Sequence, residues 1–183
     1  MGETGFAEIA SALTTQPQLE ELTVYVSNIG RFGCVTLGTT LESWGRVPSL
    51  KKLCLRYCEI DDEGLCALVA GMTNCCNLSC LSLSGNPMIS AEGLRHLSAF
   101  LRSGHCSLEK LYLSHLDMSD EGLHYLVEGI TNCFSLEELN LGANPLITAV
   151  GWRSLSVFFQ SENCFLKKLD LTMMTISDDA ARL

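Results

Sequence analysis

Apolar residues recur along the chain in two alternating rhythms. The first is L-x-x-L-x-L, at Leu50/Leu53/Leu55, Leu78/Leu81/Leu83, Leu108/Leu111/Leu113, Leu136/Leu139/Leu141 and Leu166/Leu169/Leu171, with a weaker copy at Leu19/Leu22/Val24. Alternation of this kind predicts a short strand with one buried face. The second rhythm follows each copy. Leu65, Leu68, Val69 and Met72 fall at i, i+3, i+4 and i+7, and Leu94, Leu97 and Leu101 repeat the stripe with one gap, which predicts a helix. Asp61-Asp62-Glu63 and Asp120-Glu121 open two of these helices, where capping and the helix dipole favour acids.

The two rhythms form a repeat. The leading leucines are separated by 28 (Leu50 to Leu78), 30 (to Leu108), 28 (to Leu136) and 30 (to Leu166), so two unit lengths alternate with a superperiod of 58. Gly64, Gly93, Gly122 and Gly151 are spaced by 29. One strand and one helix cannot bury both their apolar faces, but stacked copies can, and the result is a solenoid. Strands of a parallel sheet sit about 4.8 Å apart, whereas helices need about 10 Å. The difference bends the stack. The expected fold is α/β: a right-handed horseshoe arc with a parallel sheet on the concave face and helices on the convex face.

L-x-x-L-x-L followed by x-x-N/C-x-L, in alternating units of 28–30 residues, resembles leucine-rich repeats of the ribonuclease-inhibitor-like class. The resemblance covers nearly the whole chain and implies one solenoid over residues 1–183, about six repeats of 28–31 residues. Its ladder position, eight after the leading leucine, holds Ser27, Cys58, Asn86, Leu116, Asn144 and Met174. An inward Asn there satisfies backbone groups of neighbouring coils. Leu116 and Met174 depart from the pattern, which predicts looser or water-bridged turns beside them. Residues 5–15, with Phe6, Ile9 and Leu13, read as the helix of a repeat that lacks its strand. Ala180 takes the glycine position of a last repeat that stops at Leu183. Neither end carries the polar outer face of a terminal repeat, so the expectation is a piece of a longer array; self-association through open ends is the alternative. Residues Ile29–Gly45 carry four glycines and a poorer stripe (Leu37, Leu41, Trp44), an irregular second coil.

In each strand the first, fourth and sixth positions are expected to point inward, and the second, third, fifth and seventh to line the concave face. That face then holds Glu20/Glu21/Thr23/Tyr25, Lys51/Lys52/Cys54/Arg56, Ser79/Cys80/Ser82/Ser84, Glu109/Lys110/Tyr112/Ser114, Glu137/Glu138/Asn140/Gly142 and Lys167/Lys168/Asp170/Thr172. Six acids meet six bases, so the face is neutral. Glu20/Glu21 adjoin Lys51/Lys52 and Glu137/Glu138 adjoin Lys167/Lys168. These read either as lateral ion pairs, each about 0–1 kcal/mol, or as a charge stripe that selects partners. The candidate partner-binding residues are Tyr25, Lys52, Arg56, Tyr57, Tyr112, His115, Glu138, Asn140, Lys168 and Asp170, since Tyr and Arg carry much of the energy at interfaces.

Charge and composition narrow the function. Lys and Arg number 12 against 21 Asp and Glu, a net charge of −9, and hydrophobic residues make up 47%. The chain is too apolar for disorder, and its acidity argues against binding nucleic acid through phosphates. No stretch approaches the roughly 18 apolar residues of a membrane span, and the start MGETGFAEIASAL has no basic n-region. The ten cysteines read as small hydrophobes of a reduced, cytoplasmic chain. The sequon Asn77-Leu78-Ser79 is placed in a buried strand, which argues against glycosylation. Ser114, His115 and Asp117 lack a G-x-S-x-G elbow, no C-x-x-C occurs, and Cys75, Cys106, Cys133 and Cys164 follow the structural repeat. No catalytic residue, metal site or cofactor is assigned. The expected function is non-enzymatic: a protein-interaction module that binds a protein partner through the concave sheet and adjoining loops. What the resemblance leaves as alternatives is a GTPase-activating regulator similar to the Ran-type activator, or a sensor or adaptor segment of a larger immune-receptor-like or ligase-adaptor protein.

Overall fold

The computed structural model describes residues 2–45, 49–103 and 106–174. The expectations for Ala180 and Leu183 lie outside the described residues. Helix α1 (Glu3–Ala12) opens the chain, followed by β1 (Glu21–Tyr25), α2 (Gly30–Ser43), β2 (Lys52–Arg56), α3 (Asp62–Met72) and β3 (Cys80–Ser82). The same alternation continues with α4 (Ala91–Leu101), β4 (Lys110–Tyr112), α5 (Asp120–Ile130), β5 (Glu138–Asn140), α6 (Ala149–Phe159) and β6 (Lys168–Asp170). The six strands form one parallel sheet in chain order. Their register aligns Leu22, Leu53, Leu81, Leu111, Leu139 and Leu169 in a single row. The four middle members of that row are fully buried, and Leu55, Leu83, Leu113 and Leu141 lie beside them in the same core. The opening helix runs two residues earlier than the pattern predicts and ends in a 3-10 turn at Leu13–Thr15.

After each strand the chain turns through a residue with left-handed backbone: Val26, Tyr57, Gly85, His115, Ala143 and Met173. The turn brings the ladder position inward. Asn86 Oδ1 accepts from the amides of Cys58 (2.9 Å) and Ile60 (3.2 Å), while its Nδ2 donates to the carbonyls of Leu55 and Leu83. Asn144 does the same one superperiod later, for Leu116 N (2.9 Å), Met118 N (3.2 Å) and the carbonyls of Leu113 and Leu141. Each asparagine thus serves its own coil and the coil before it. This corrects the expectation of a looser turn at Leu116: the residue is fully buried and Asn144 meets its amide. At the other departure, the Met174 sulfur accepts from Asn144 N at 3.1 Å.

The helices are also tied across coils. Asp62, in the first turn of α3, accepts from Ser90 N (2.8 Å), Ser90 Oγ (2.6 Å) and Gly93 N (2.9 Å) at the start of α4. Asp120 repeats this with Thr148 and Gly151 at the start of α6. A Cβ at Gly93 or Gly151 would sit 2.4 Å from the capping carboxylate oxygen, which accounts for two of the glycines spaced by 29. Helix spacing alternates as well. A Cβ at Gly71 would lie 2.1 Å from the Gly38 carbonyl oxygen, so α2 and α3 pack backbone to backbone. Between α3 and α4 a groove of about 360 Å³ opens instead, lined by Asp62, Glu63, Cys66, Ala67, Ala70, Glu92 and His96. Gly33 and Gly38 of the second coil are therefore packing positions, and α2 is regular over 14 residues. Asn77 differs from expectation too. The strand starts at Cys80, and Asn77 lies exposed in the turn before it, because only Leu78 of that tripeptide is drawn into the core.

Candidate functional site

Side chains that leave the sheet away from the helices make one continuous face, on which four ion pairs cross between coils. Lys51 pairs with Glu20 (2.9 Å), Lys52 with Glu21 (3.3 Å) and Lys167 with Glu137 (2.6 Å), and Lys168 pairs with Glu138. The lateral pairs expected from the sequence are formed. Hydrogen bonding to Glu138 raises the Lys168 pKa, and the same contact lowers that of Glu138. Tyr112 stands beside this group; burial and the Glu138 carboxylate push its hydroxyl up to about 12. Asn140 Nδ2 donates to Asp170 (2.8 Å), and Asp170 in turn accepts from Thr172 N.

A second group stands at the C-terminal ends of the strands. Tyr25 and Tyr57 meet edge to face with ring centroids 5.6 Å apart, and Tyr57 faces His115 at 6.3 Å. The Arg56 guanidinium lies 5.7 Å from the Tyr25 ring centroid, within cation–π range. Tyr57 reaches His115, two coils away, because the intervening residue is Gly85. A Cβ there would lie 2.3 Å from the Tyr57 ring, and its φ of +76° suits glycine. Beside these rings is an open groove of about 530 Å³, also lined by Val26, Glu59, Pro87, Met88 and Asp117.

Between the two groups the face is hollow. Cys54, Cys80, Ser82, Ser84 and Ser114 leave a depression of about 350 Å³, walled by Lys52, Arg56, Tyr112 and Asn140. The register places Cys54, Ser82, Tyr112 and Asn140 in one row across four strands. Ser82 and Ser84 were expected to line the face openly. They are recessed instead, 4% and 1% exposed, since short side chains sink below larger neighbours.

The ten predicted residues thus divide. Tyr25, Arg56, Tyr57 and His115 come together as an aromatic rim. Two hydrogen-bonded pairs, Glu138 with Lys168 and Asn140 with Asp170, stand beside Tyr112 toward the last strand, and Lys52 borders the hollow. Sequence reasoning missed the serine-lined hollow and the groove acids Glu59 and Asp117. The run of small residues at successive face positions of one strand was the available signal for the hollow. It also missed a thiol contact on the opposite edge, where Cys106 and Cys133 approach to 3.2 Å between sulfurs. There the shared S–H contact lowers the pKa of Cys133 and raises that of Cys106. All ten cysteines are free. Among the described residues no group of three or more His, Cys, Asp or Glu is placed to hold a metal ion, and no helix is long and apolar enough to cross a membrane.

Parallel strands in chain order, a leucine row and an asparagine ladder define an α/β repeat solenoid. Two family models, both described as leucine-rich repeat, match residues 49–71 and 74–98. The chain is 30% identical over 164 residues to "Ribonuclease inhibitor" of Sus scrofa, covering 90% of this chain and 35% of that protein. It is 28% identical over 167 residues to "NACHT, LRR and PYD domains-containing protein 5" of Mus musculus, 91% of this chain and 14% of the relative. With "Protein NLRC5" of Homo sapiens it shares 31% over 150 residues, 80% and 7% of the two lengths. It is a leucine-rich-repeat protein of the ribonuclease-inhibitor-like class, and it spans about a third or less of these relatives.

Proposed function

We propose that this chain is a non-enzymatic protein-interaction module that holds a protein partner on its concave sheet face and the loops beside it. One observation carries the reading: the face is already ordered. Eight of its twelve charged side chains are paired between coils, and its aromatic rim is fixed by ring contacts and by left-handed turns. A surface organised before binding loses little side-chain freedom on association. Two relatives, both named ribonuclease inhibitor, lend support of the same kind. The free thiols suit a reducing compartment such as the cytoplasm.

Tyr57 and Asp170 stand on different coils of this face, and neither borders the hollow. The double change Tyr57→Ala with Asp170→Ala is expected to weaken capture of a partner by about tenfold or more without changing the circular dichroism. A helix-side control, Glu128→Ala, leaves capture intact. Equal capture by the folded double variant would refute the reading. Similarity to proteins named for NACHT and LRR domains favours a second, compatible reading, that this is the sensing segment of a larger receptor. Its test is whether the full-length gene product carries a nucleotide-binding segment.

A further inference from the structure

We propose that the hollow at the centre of the concave face binds a phosphoryl group, presented as a phosphomonoester on a peptide segment of the partner. This rests on the reading of the face as a partner surface and says which chemistry the face selects. The chain as a whole carries a charge of −9, yet the charged side chains that line the hollow, Lys52 and Arg56, are both cationic. Arg56 has no carboxylate within ion-pairing distance among the described residues. It rests on the Tyr25 ring and keeps its fork of N–H donors free. Lys52 is shared with Glu21 across 3.3 Å at the opposite lip.

The floor supplies the second half of the argument. Ser82 is more than nine-tenths buried, lines the hollow, and its hydroxyl has no hydrogen-bond partner in the described structure. Ser84 is 1% exposed; its Oγ accepts from Ser114 N at 3.2 Å, which leaves its own proton unspent. The Ser114 hydroxyl is likewise without a partner. Arg56, Ser84 and Ser114 follow Cys54, Ser82 and Tyr112 by two residues on adjoining strands, so the guanidinium and the three hydroxyls converge on one depression. These hydroxyls open onto the hollow with no protein acceptor, so they can donate to a ligand that takes the place of water there.

The donor set discriminates among anions. A carboxylate brings one charge and two oxygens. A phosphomonoester brings about −1.5 to −2 charges and three terminal oxygens, which matches two cations and three hydroxyls. The planar fork of Arg56 suits two phosphoryl oxygens at once. The depression, about 350 Å³, is larger than a bare phosphate and leaves room for the chain that carries it.

The test is a titration of the whole chain followed by the backbone amide NMR signals. The probes are a five-residue glycine peptide with a central phosphoserine, the same peptide with serine or glutamate at that place, and inorganic phosphate. The phosphopeptide is expected to give saturable shifts at residues 80–84 and at Ser114. Its affinity should exceed that of the glutamate peptide and of inorganic phosphate by about tenfold, with no saturation by the serine peptide. Arg56→Ala should weaken it about tenfold and Ser82→Ala several-fold, while Arg153→Ala, on the exposed side of α6, leaves it unchanged. Absent or scattered shifts, equal binding by Arg56→Ala, or inorganic phosphate binding as tightly as the phosphopeptide would each overturn the proposal. If partner capture still depends on Tyr57 and Asp170 while the phosphopeptide fails, only the chemistry of the hollow is lost. If capture ignores those residues as well, the reading of the face falls with it.

Discussion

Two buried asparagines do the work of several backbone contacts. The Asn144 side chain meets two amides and two carbonyls drawn from two coils, all in a region closed to water. Asn144→Ala removes those partners together and leaves two amides and two carbonyls without the side chain that meets them. Each buried group left unpaired costs about 1–3 kcal/mol, so the expected loss is about 3 kcal/mol or more in urea unfolding. Cys58→Ala, at the same ladder position, should be milder. The Cys58 thiol donates weakly to the carbonyls of Val24 and Arg56 at 3.7 and 3.3 Å, whereas the amides of its turn are met by Asn86. The reach of each asparagine back to the preceding coil also explains why every second coil can do without one. Leu116 could not be read as satisfied from its own repeat, because its partner is 28 residues further along.

At the scale of the element, helix starts and helix spacing carry the argument. Asp61 caps α3 through Gly64 N (2.8 Å) and is held by Arg31 (2.8 Å) from the coil before. Partial burial raises its pKa, but the Arg31 guanidinium and the Gly64 amide outweigh that and leave it lowered. A carboxyl whose folded pKa lies below its unfolded value of about 3.9 stabilises the fold above that pH, and the contribution is lost as pH falls through the folded pKa. Asp61→Asn should therefore lower the urea midpoint at pH 7, and the gap to the wild type should close below about pH 4. A gap constant from pH 7 to pH 3 would show that the charge has no part in it. Glycine at a helix interior normally costs about 1 kcal/mol against alanine. At Gly71 the sign reverses: a Cβ would meet the Gly38 carbonyl at 2.1 Å, and backbone cannot rotate aside. At Gly129, one superperiod later, the nearest atom is Ser98 Cα at 2.9 Å. Gly71→Ala should thus be destabilising by about 2 kcal/mol or more and clearly worse than Gly129→Ala, as thermal unfolding of the two variants will show.

For the whole molecule, the leucine spacing was enough to read the repeat, the parallel strand order and the direction of each strand residue, because those follow from a period that every coil repeats. What resisted reading lies between coils. The second coil looked irregular until Gly38 met Gly71; Ser82 and Ser84 looked open until larger neighbours stood beside them; Tyr57 and His115 looked like separate surface residues until Gly85 let them meet. The same between-coil contacts shape how the array comes apart. Apart from the Tyr57–His115 contact, the elements of each coil pack only on those of its neighbours, so stability is close to a sum of coil and interface terms. The helix interfaces alternate. α2 packs closely on α3 and α4 closely on α5, while α3 and α4 are parted by a groove and α5 and α6 touch less closely. The weak interfaces should open first, and the closely packed pairs should unfold as units. Native-state hydrogen exchange in low urea tests this. The amides of α2 and α3 should share one opening free energy and one urea dependence, and those of α4 and α5 a second. Six helices exchanging independently, or all with a single global value, would exclude paired units, and the 58-residue superperiod would then describe geometry without describing cooperativity.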